Sequence, residues 1–95
     1  MADGRKVPRP FSMHWGNGNI VEEAWITNEY HEPTVQLMEY TDGEAAGSVS
    51  IRFCSFNNGR FQRSPLMINE EDLEPLREAI AKQPRLRELL RRLVE

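Results

Sequence analysis

Residues 48–68, SVSIRFCSFNNGRFQRSPLMI, decide the fold of this chain. The central Asn58-Gly59 pair suits a two-residue type I′ hairpin turn, because both turn positions need a positive φ. The alternation of apolar and polar residues before the turn is typical of a strand with one buried face. The sequence therefore predicts an antiparallel hairpin that pairs Phe56 with Phe61, Cys54 with Arg63, and Arg52 with Pro65.

The predicted hairpin has two unlike faces, since side chains along a strand point alternately to its two sides. The face expected to join the core carries Val49, Ile51, Phe53, Leu66 and Ile68. The other face combines arginines with aromatic rings and carries Arg52, Cys54, Phe56, Phe61, Arg63 and Met67.

The chain before the hairpin divides into short segments. Residues 1–10 are rich in proline and basic residues and are expected to form a flexible tail. Residues 15–19, WGNGN, predict a turn, and residues 42–47 a loop. Residues 35–41 predict a strand. Residues 20–27 fit one face of a helix as well as a strand, although their Ile, Val, Trp and Thr favour the strand.

The last part of the chain predicts a helix. Asn69 is a candidate N-cap, and the acids that follow it suit the positive end of a helix dipole. Pro75 lies past the first turn if Asn69 is the cap and within it if Asp72 is the cap, and both starts remain open. The Gln83-Pro84 pair predicts a kink or break. The apolar stripe consists of Leu73, Leu76 and Ile80, then Leu86, Leu89, Leu90 and Leu93. The predicted order is β-β-β-β-α.

Length and composition indicate one small α+β domain over residues 11–95. The chain has 95 residues, 39% of them hydrophobic and 28% charged, and no apolar run long enough to span a membrane. A single cysteine and the absence of a signal peptide favour the cytoplasm. The net charge of −3 conceals a pattern, because residues 11–47 hold seven acids and no lysine or arginine, whereas residues 48–68 hold three arginines and no acid.

The hairpin and helix together resemble the C-terminal domain of the positive-cofactor-four (PC4-like) transcriptional coactivators. The resemblance covers residues 34–95 and lies in Ile51-Arg52, the turn glycine Gly59, Ile68-Asn69-Glu70-Glu71, Leu73, Leu76 and Ile80. It implies a curved antiparallel four-stranded sheet, a C-terminal helix, a homodimer, and a role in transcription regulation by binding single-stranded DNA.

The match to that family is uneven at the positions that matter for binding. Arg52 matches the family's strand arginine, but the basic pair near the last strand becomes Arg63 and Ser64. The family's aromatic position falls on Ser55, next to Phe56. The first hairpin, basic in the family, is acidic in this chain through Glu39, Asp42 and Glu44.

Single-stranded nucleic acid, DNA or RNA, is bound by cations that follow the backbone and by rings on which bases stack. The candidate binding residues are Arg52, Arg60, Arg63, Phe56 and Phe61. The alternative is that the two rings form a cross-strand pair that stabilises the hairpin while the arginines stay solvated. The candidate dimer interface is Leu86, Leu89, Leu90 and Leu93, which could instead pack on the chain's own sheet.

Catalytic chemistry has little support in the sequence. His14, His31 and Cys54 lack the spacing of metal ligands, and no base is indicated for Cys54. Glu22 and Glu23 are expected to be solvated or capping rather than catalytic. We therefore expect no enzyme activity, no cofactor and no metal. The sequence favours a dimer that binds single-stranded nucleic acid, and its rival is a protein–protein interaction adaptor on the same fold.

Overall fold

A computed structural model describes residues 5–63 and 65–95 of the chain. Five strands come first: β1 (Arg9–Met13), β2 (Gly16–Trp25), β3 (Glu32–Tyr40), β4 (Val49–Asn57) and β5 (Arg60–Gln62). A short 3-10 turn (Glu70–Asp72) leads into α1 (Leu73–Ala81), which is followed by α2 (Pro84–Val94). The α+β class is confirmed. The predicted four strands and one helix are corrected to five strands and two helices.

The strands form one curled antiparallel sheet in the order β1-β2-β3-β4-β5, so each strand pairs with its neighbour in sequence. The β4–β5 turn is the predicted one, since Asn58 and Gly59 have φ values of 54° and 80°. Phe56 is paired with Phe61 as expected. Residues 20–25 lie in β2, which resolves the choice between strand and helix.

The turn predicted at residues 15–19 is misplaced. The turn is at His14 and Trp15, and the glycines after it belong to β2, where they pair with β1. Gly18 is required there because a Cβ atom at this position would collide with the carbonyl oxygen of Glu39 on β3. The last two residues of the predicted tail, Arg9 and Pro10, lie in β1.

The sequence also predicted too long a second strand for the β4–β5 hairpin. The β4–β5 ladder ends at the Ser55–Gln62 pair, so Cys54 has no partner at Arg63 and Arg52 has none at Pro65. Pro65 has no N–H to donate to a ladder, which opposes a continuation of the strand. Leu66 and Ile68 follow it outside any strand, and the carbonyl oxygen of Met67 lies 2.9 Å from Nε2 of His31.

Both helix starts follow from proline chemistry. α1 begins after Asp72, so Pro75 lies in its first turn, where its missing N–H breaks no helical hydrogen bond. Pro84 is the first residue of α2, and Gln83 before it is extended. The predicted break at Gln83-Pro84 is confirmed.

The helices pack on one side of the sheet, which we call the helix face. Its buried core consists of Ala24, Val35, Leu37 and Leu86, surrounded by Val21, Ile51, Ala79, Ile80, Leu89 and Leu90. A bulge at Val21 interrupts the β2–β3 register. Glu22 lies beside this core and accepts hydrogen bonds from the backbone N–H groups of Arg85 (3.2 Å) and Leu86 (2.8 Å). Glu22 thus caps α2 from the sheet and fixes where the helix docks.

Candidate functional site

The opposite side of the sheet, which we call the arginine face, carries most of the predicted binding residues. The register places Glu23, Gln36 and Arg52 side by side across β2, β3 and β4. Cys54 and Phe56 follow Arg52 along β4 on the same side, and Phe61 lies opposite Phe56 on β5. Segments distant in sequence therefore meet on one surface of the sheet.

Glu23 is the centre of the polar network on the arginine face. Its carboxylate accepts two hydrogen bonds from the Arg9 guanidinium, at 2.9 and 3.0 Å, and one from Nε2 of Gln36 at 2.8 Å. Arg5 lies 3.5 Å from the same carboxylate. The side chain of Glu23 is only 2% exposed, so these partners replace the water that it loses.

Arg5, from the predicted tail, inserts its guanidinium into a pocket at the edge of this network. The guanidinium carbon lies 4.3 Å from the ring centre of Trp25 and 4.2 Å from that of Phe56. The guanidinium donates hydrogen bonds to Oε1 of Glu32 at 2.6 Å and to Oγ1 of Thr34 at 3.1 Å. The Arg5 side chain is 7% exposed. Nothing local in the sequence signals these contacts, because they join residues at least twenty positions apart.

The structure brings together three of the five predicted nucleic-acid-binding residues. Arg52 donates a hydrogen bond from Nε to Gln36 at 2.7 Å and stacks 4.8 Å above the Phe61 ring. Phe56 and Phe61 meet edge to face, with ring centres 5.6 Å apart. This geometry is the cross-strand aromatic pair of the alternative interpretation.

The two remaining arginines lie apart from this cluster. Arg60 is paired with Asn57 and projects to the other side of β5, and Arg63 follows the end of that strand. Both are exposed. Within residues 5–63 and 65–95 neither forms an ion pair.

Cys54 is a buried thiol on the arginine face. Burial raises the pKa of Cys54, and the positive charge of Arg52 only partly opposes this. The charged neighbour is thus Arg52 rather than the predicted Arg63. A raised pKa leaves less thiolate at neutral pH, which is the opposite of an activated nucleophile.

We predict that Cys54 reacts slowly with iodoacetamide in the folded protein. At pH 7.5 we expect the rate to be at least about tenfold below that of the same chain in urea, because both burial and the raised pKa reduce accessible thiolate. The rate should keep rising with pH beyond the ordinary thiol pKa. Mass spectrometry over time measures it, and a rate that levels off below pH 8 would contradict the assignment.

The two histidines considered as metal ligands make other contacts. The His14 ring packs edge to face on Trp15, and His31 contacts Met67. In the part of the chain that the structure describes, no three His, Cys, Asp or Glu side chains are grouped as metal ligands.

The predicted dimer leucines differ in exposure along α2. Leu86 is completely buried in the chain's own core, whereas Leu93 is 69% exposed. Leu89 and Leu90 are half-buried against the core. Leu86 therefore packs on the chain's own sheet, which was the alternative prediction for these leucines. Only the later leucines of α2 reach the surface.

The exposed leucines line an apolar groove between the helices and β4. Its volume is about 700 Å³, and its apolar walls include Phe53, Ile68, Leu73, Leu90, Leu93 and Val94. A shallower extension runs over Val49, Ile51 and Leu89. Phe53, predicted as a core residue, is 48% exposed because the two helices do not reach across β4. We call this surface the apolar groove.

No family model, curated protein or solved structure matches the chain. Among the described residues, no helix has the length and apolar character that crossing a membrane requires.

Proposed function

We propose that this chain is a protein-interaction module that forms a homodimer through the apolar groove. The observation that carries the proposal is the exposure of Phe53, Leu73, Leu93 and Val94 around one cleft. Contiguous apolar surface of this kind is uncommon on a monomer and is typical of an interaction site. The proposal favours the adaptor interpretation over nucleic-acid binding.

The charge distribution around the apolar groove supports a second copy of the chain as its occupant. Residues 69–83, which include α1, carry five acids and two basic residues, whereas α2 and Glu95 carry four arginines and two acids. In a two-fold interface, a contact between two different patches occurs twice, once from each copy. With α1 of one copy against α2 of the other, acidic and basic helices would face each other around the apolar walls.

We predict that Leu93→Glu abolishes the dimer. A carboxylate at this exposed position leaves the fold of one copy intact but would be buried without a partner in the dimer, which is strongly unfavourable. Sedimentation equilibrium should give twice the chain mass for the parent at micromolar concentration and the single mass for the variant.

The matched control for this experiment is Tyr30→Glu, a residue that is equally exposed but lies outside the apolar groove. This variant should remain dimeric. A parent that sediments at about 11 kDa at all concentrations would contradict the proposed dimer.

Single-stranded nucleic-acid binding is the second candidate function, in line with the resemblance to the PC4-like coactivators. It is favoured by exposed residues near the β4–β5 turn: the cation Arg63 and the 47% exposed ring of Phe61, with a second cation, Arg60, on the other side of β5. Against it, one face of the Phe56 ring is covered by Arg5 and one face of the Phe61 ring by Arg52. Bases could stack on the covered faces only after those guanidiniums moved.

If the second candidate is correct, Arg60→Ala with Arg63→Ala should weaken binding to labelled oligo-dT and reduce the salt slope by about two units. Fluorescence anisotropy between low and high salt measures both quantities. Arg77→Ala with Lys82→Ala removes the same charge from α1 and the residue that follows it, and should leave the slope unchanged. A parent that does not bind at low salt excludes this candidate.

A further inference from the structure

The pocket that holds Arg5 has the composition of a cation-recognition site. Two aromatic rings, Trp25 and Phe56, lie at nearly equal distances from the guanidinium carbon. The Glu32 carboxylate and the Thr34 hydroxyl accept its N–H groups. Stacking on the rings and hydrogen bonding in the guanidinium plane together select a planar cation over a point charge.

The pocket walls belong to the sheet and not to the segment that fills it. Trp25, Thr34 and Phe56 lie on three adjacent strands. Thr34 pairs with Trp25 on β2 and with Cys54 on β4, and Phe56, two residues beyond Cys54, pairs with Glu32 at the start of β3. Glu23, whose carboxylate lies 3.5 Å from the Arg5 guanidinium, accepts two hydrogen bonds from Arg9 in which Arg5 takes no part. The walls are therefore positioned by strand pairing in which Arg5 takes no part.

Arg5 reaches the pocket from a weakly attached segment. The sheet ladder begins at Arg9, and residues 6–8, which connect Arg5 to it, are exposed. Arg5 itself takes no part in the strand pairing, so its withdrawal removes no ladder hydrogen bond. It exposes a negatively charged aromatic slot, because Glu32 then loses its cation.

We propose that this pocket, lined by Trp25, Phe56, Glu32 and Thr34, is a binding site for an arginine side chain of a partner protein, and that Arg5 occupies it as an internal competitor. The partner is recognised by its guanidinium group. Because Arg5 must leave first, the apparent affinity of the whole chain is lowered by the fraction of molecules in which the pocket is filled. The inference stands on the arginine face alone and does not depend on the apolar groove.

The test uses the Arg5→Ala variant of the full chain and a fluorescein-labelled peptide GRKVP, the sequence of residues 4–8. The matched control peptide carries citrulline, a neutral near-isostere, in place of arginine. In anisotropy titrations we expect the variant to bind the arginine peptide at least about tenfold more tightly than the citrulline peptide. The parent chain should bind the arginine peptide at least about tenfold more weakly than the variant.

Further variants assign the binding to this pocket. Adding Glu32→Gln to Arg5→Ala should weaken arginine-peptide binding, whereas adding the exposed Glu29→Gln should not. If Arg5→Ala is partly unfolded, the arginine peptide should raise its Tm and the citrulline peptide should not. Equal responses to the two peptides, or equal affinities of parent and variant for the arginine peptide, would overturn the proposal.

Discussion

Glu23→Ala is expected to lower the free energy of unfolding by about 3–5 kcal/mol, because it leaves buried charge without its partner. The guanidinium of Arg9 loses two hydrogen bonds and that of Arg5 loses a charge 3.5 Å away. Gln36 loses the acceptor for its amide N–H. The truncation therefore removes several contacts of the network that joins β1, β2 and β3, rather than only one.

Urea denaturation followed by circular dichroism measures this loss. Glu23→Gln keeps the shape and one acceptor, so it should cost less than the alanine variant while still removing the charge. Glu29→Ala removes an exposed carboxylate nearby in sequence and should change stability by less than about 0.5 kcal/mol. A Glu23→Ala variant within 1 kcal/mol of the parent would show that water replaces the lost partner.

A double-mutant cycle separates the contribution of the ion pair from that of packing. Arg9→Met keeps an unbranched apolar stem while removing the guanidinium. If Glu23 and Arg9 act as a unit, the combined variant should lose less than the sum of the single variants. An additive result would assign the loss to Arg5 and Gln36 instead.

The hairpin was predictable from sequence because its signals are local. The Asn58-Gly59 pair specifies the turn, and the turn then sets the partner of every residue near it. The same holds for the break between the helices, where Pro84 restricts the backbone whatever packs around it. Local backbone chemistry thus predicted the β4–β5 turn, the Phe56–Phe61 pair and the break between α1 and α2.

The arginine network was not predictable because its contacts join distant segments. Arg5 and Arg9 lie in a segment whose composition is typical of a tail, and their partners are identified only when β1 pairs with β2. Glu22 and Glu23 were expected to be either solvated or capping, and both are buried. One caps a helix and the other holds two arginines, because neighbouring residues of β2 point to opposite faces of the sheet.

The two faces of the sheet consequently have different chemical roles. The helix face buries the apolar core but leaves β4 partly uncovered, which produces the apolar groove. The arginine face replaces an apolar core with a hydrogen-bonded network of charged side chains and rings. Such a network is specific for its cations, because an unmatched group in it would remain buried and unpaired.

Substitutions of two leucines in α2 are expected to distinguish folding from assembly, and one of them should cause the largest loss of stability in the apolar core. Leu86→Ala should lower the free energy of unfolding by about 2–5 kcal/mol, because it opens a cavity at a completely buried position beside Leu37 and Val35. Leu93→Ala, one heptad further along the same helix, should change the stability of one copy by less than about 0.5 kcal/mol, since Leu93 is largely exposed.

Urea titrations at two protein concentrations distinguish a role in folding from a role in assembly. The urea midpoint of a dimer depends on protein concentration, and a variant that weakens the dimer changes that dependence relative to the parent. Leu86→Ala should shift the midpoint at both concentrations, and Leu93→Ala chiefly at the higher one. Equal losses for the two leucines at low concentration would mean that α2 docks on the sheet by a face other than the one through Leu86.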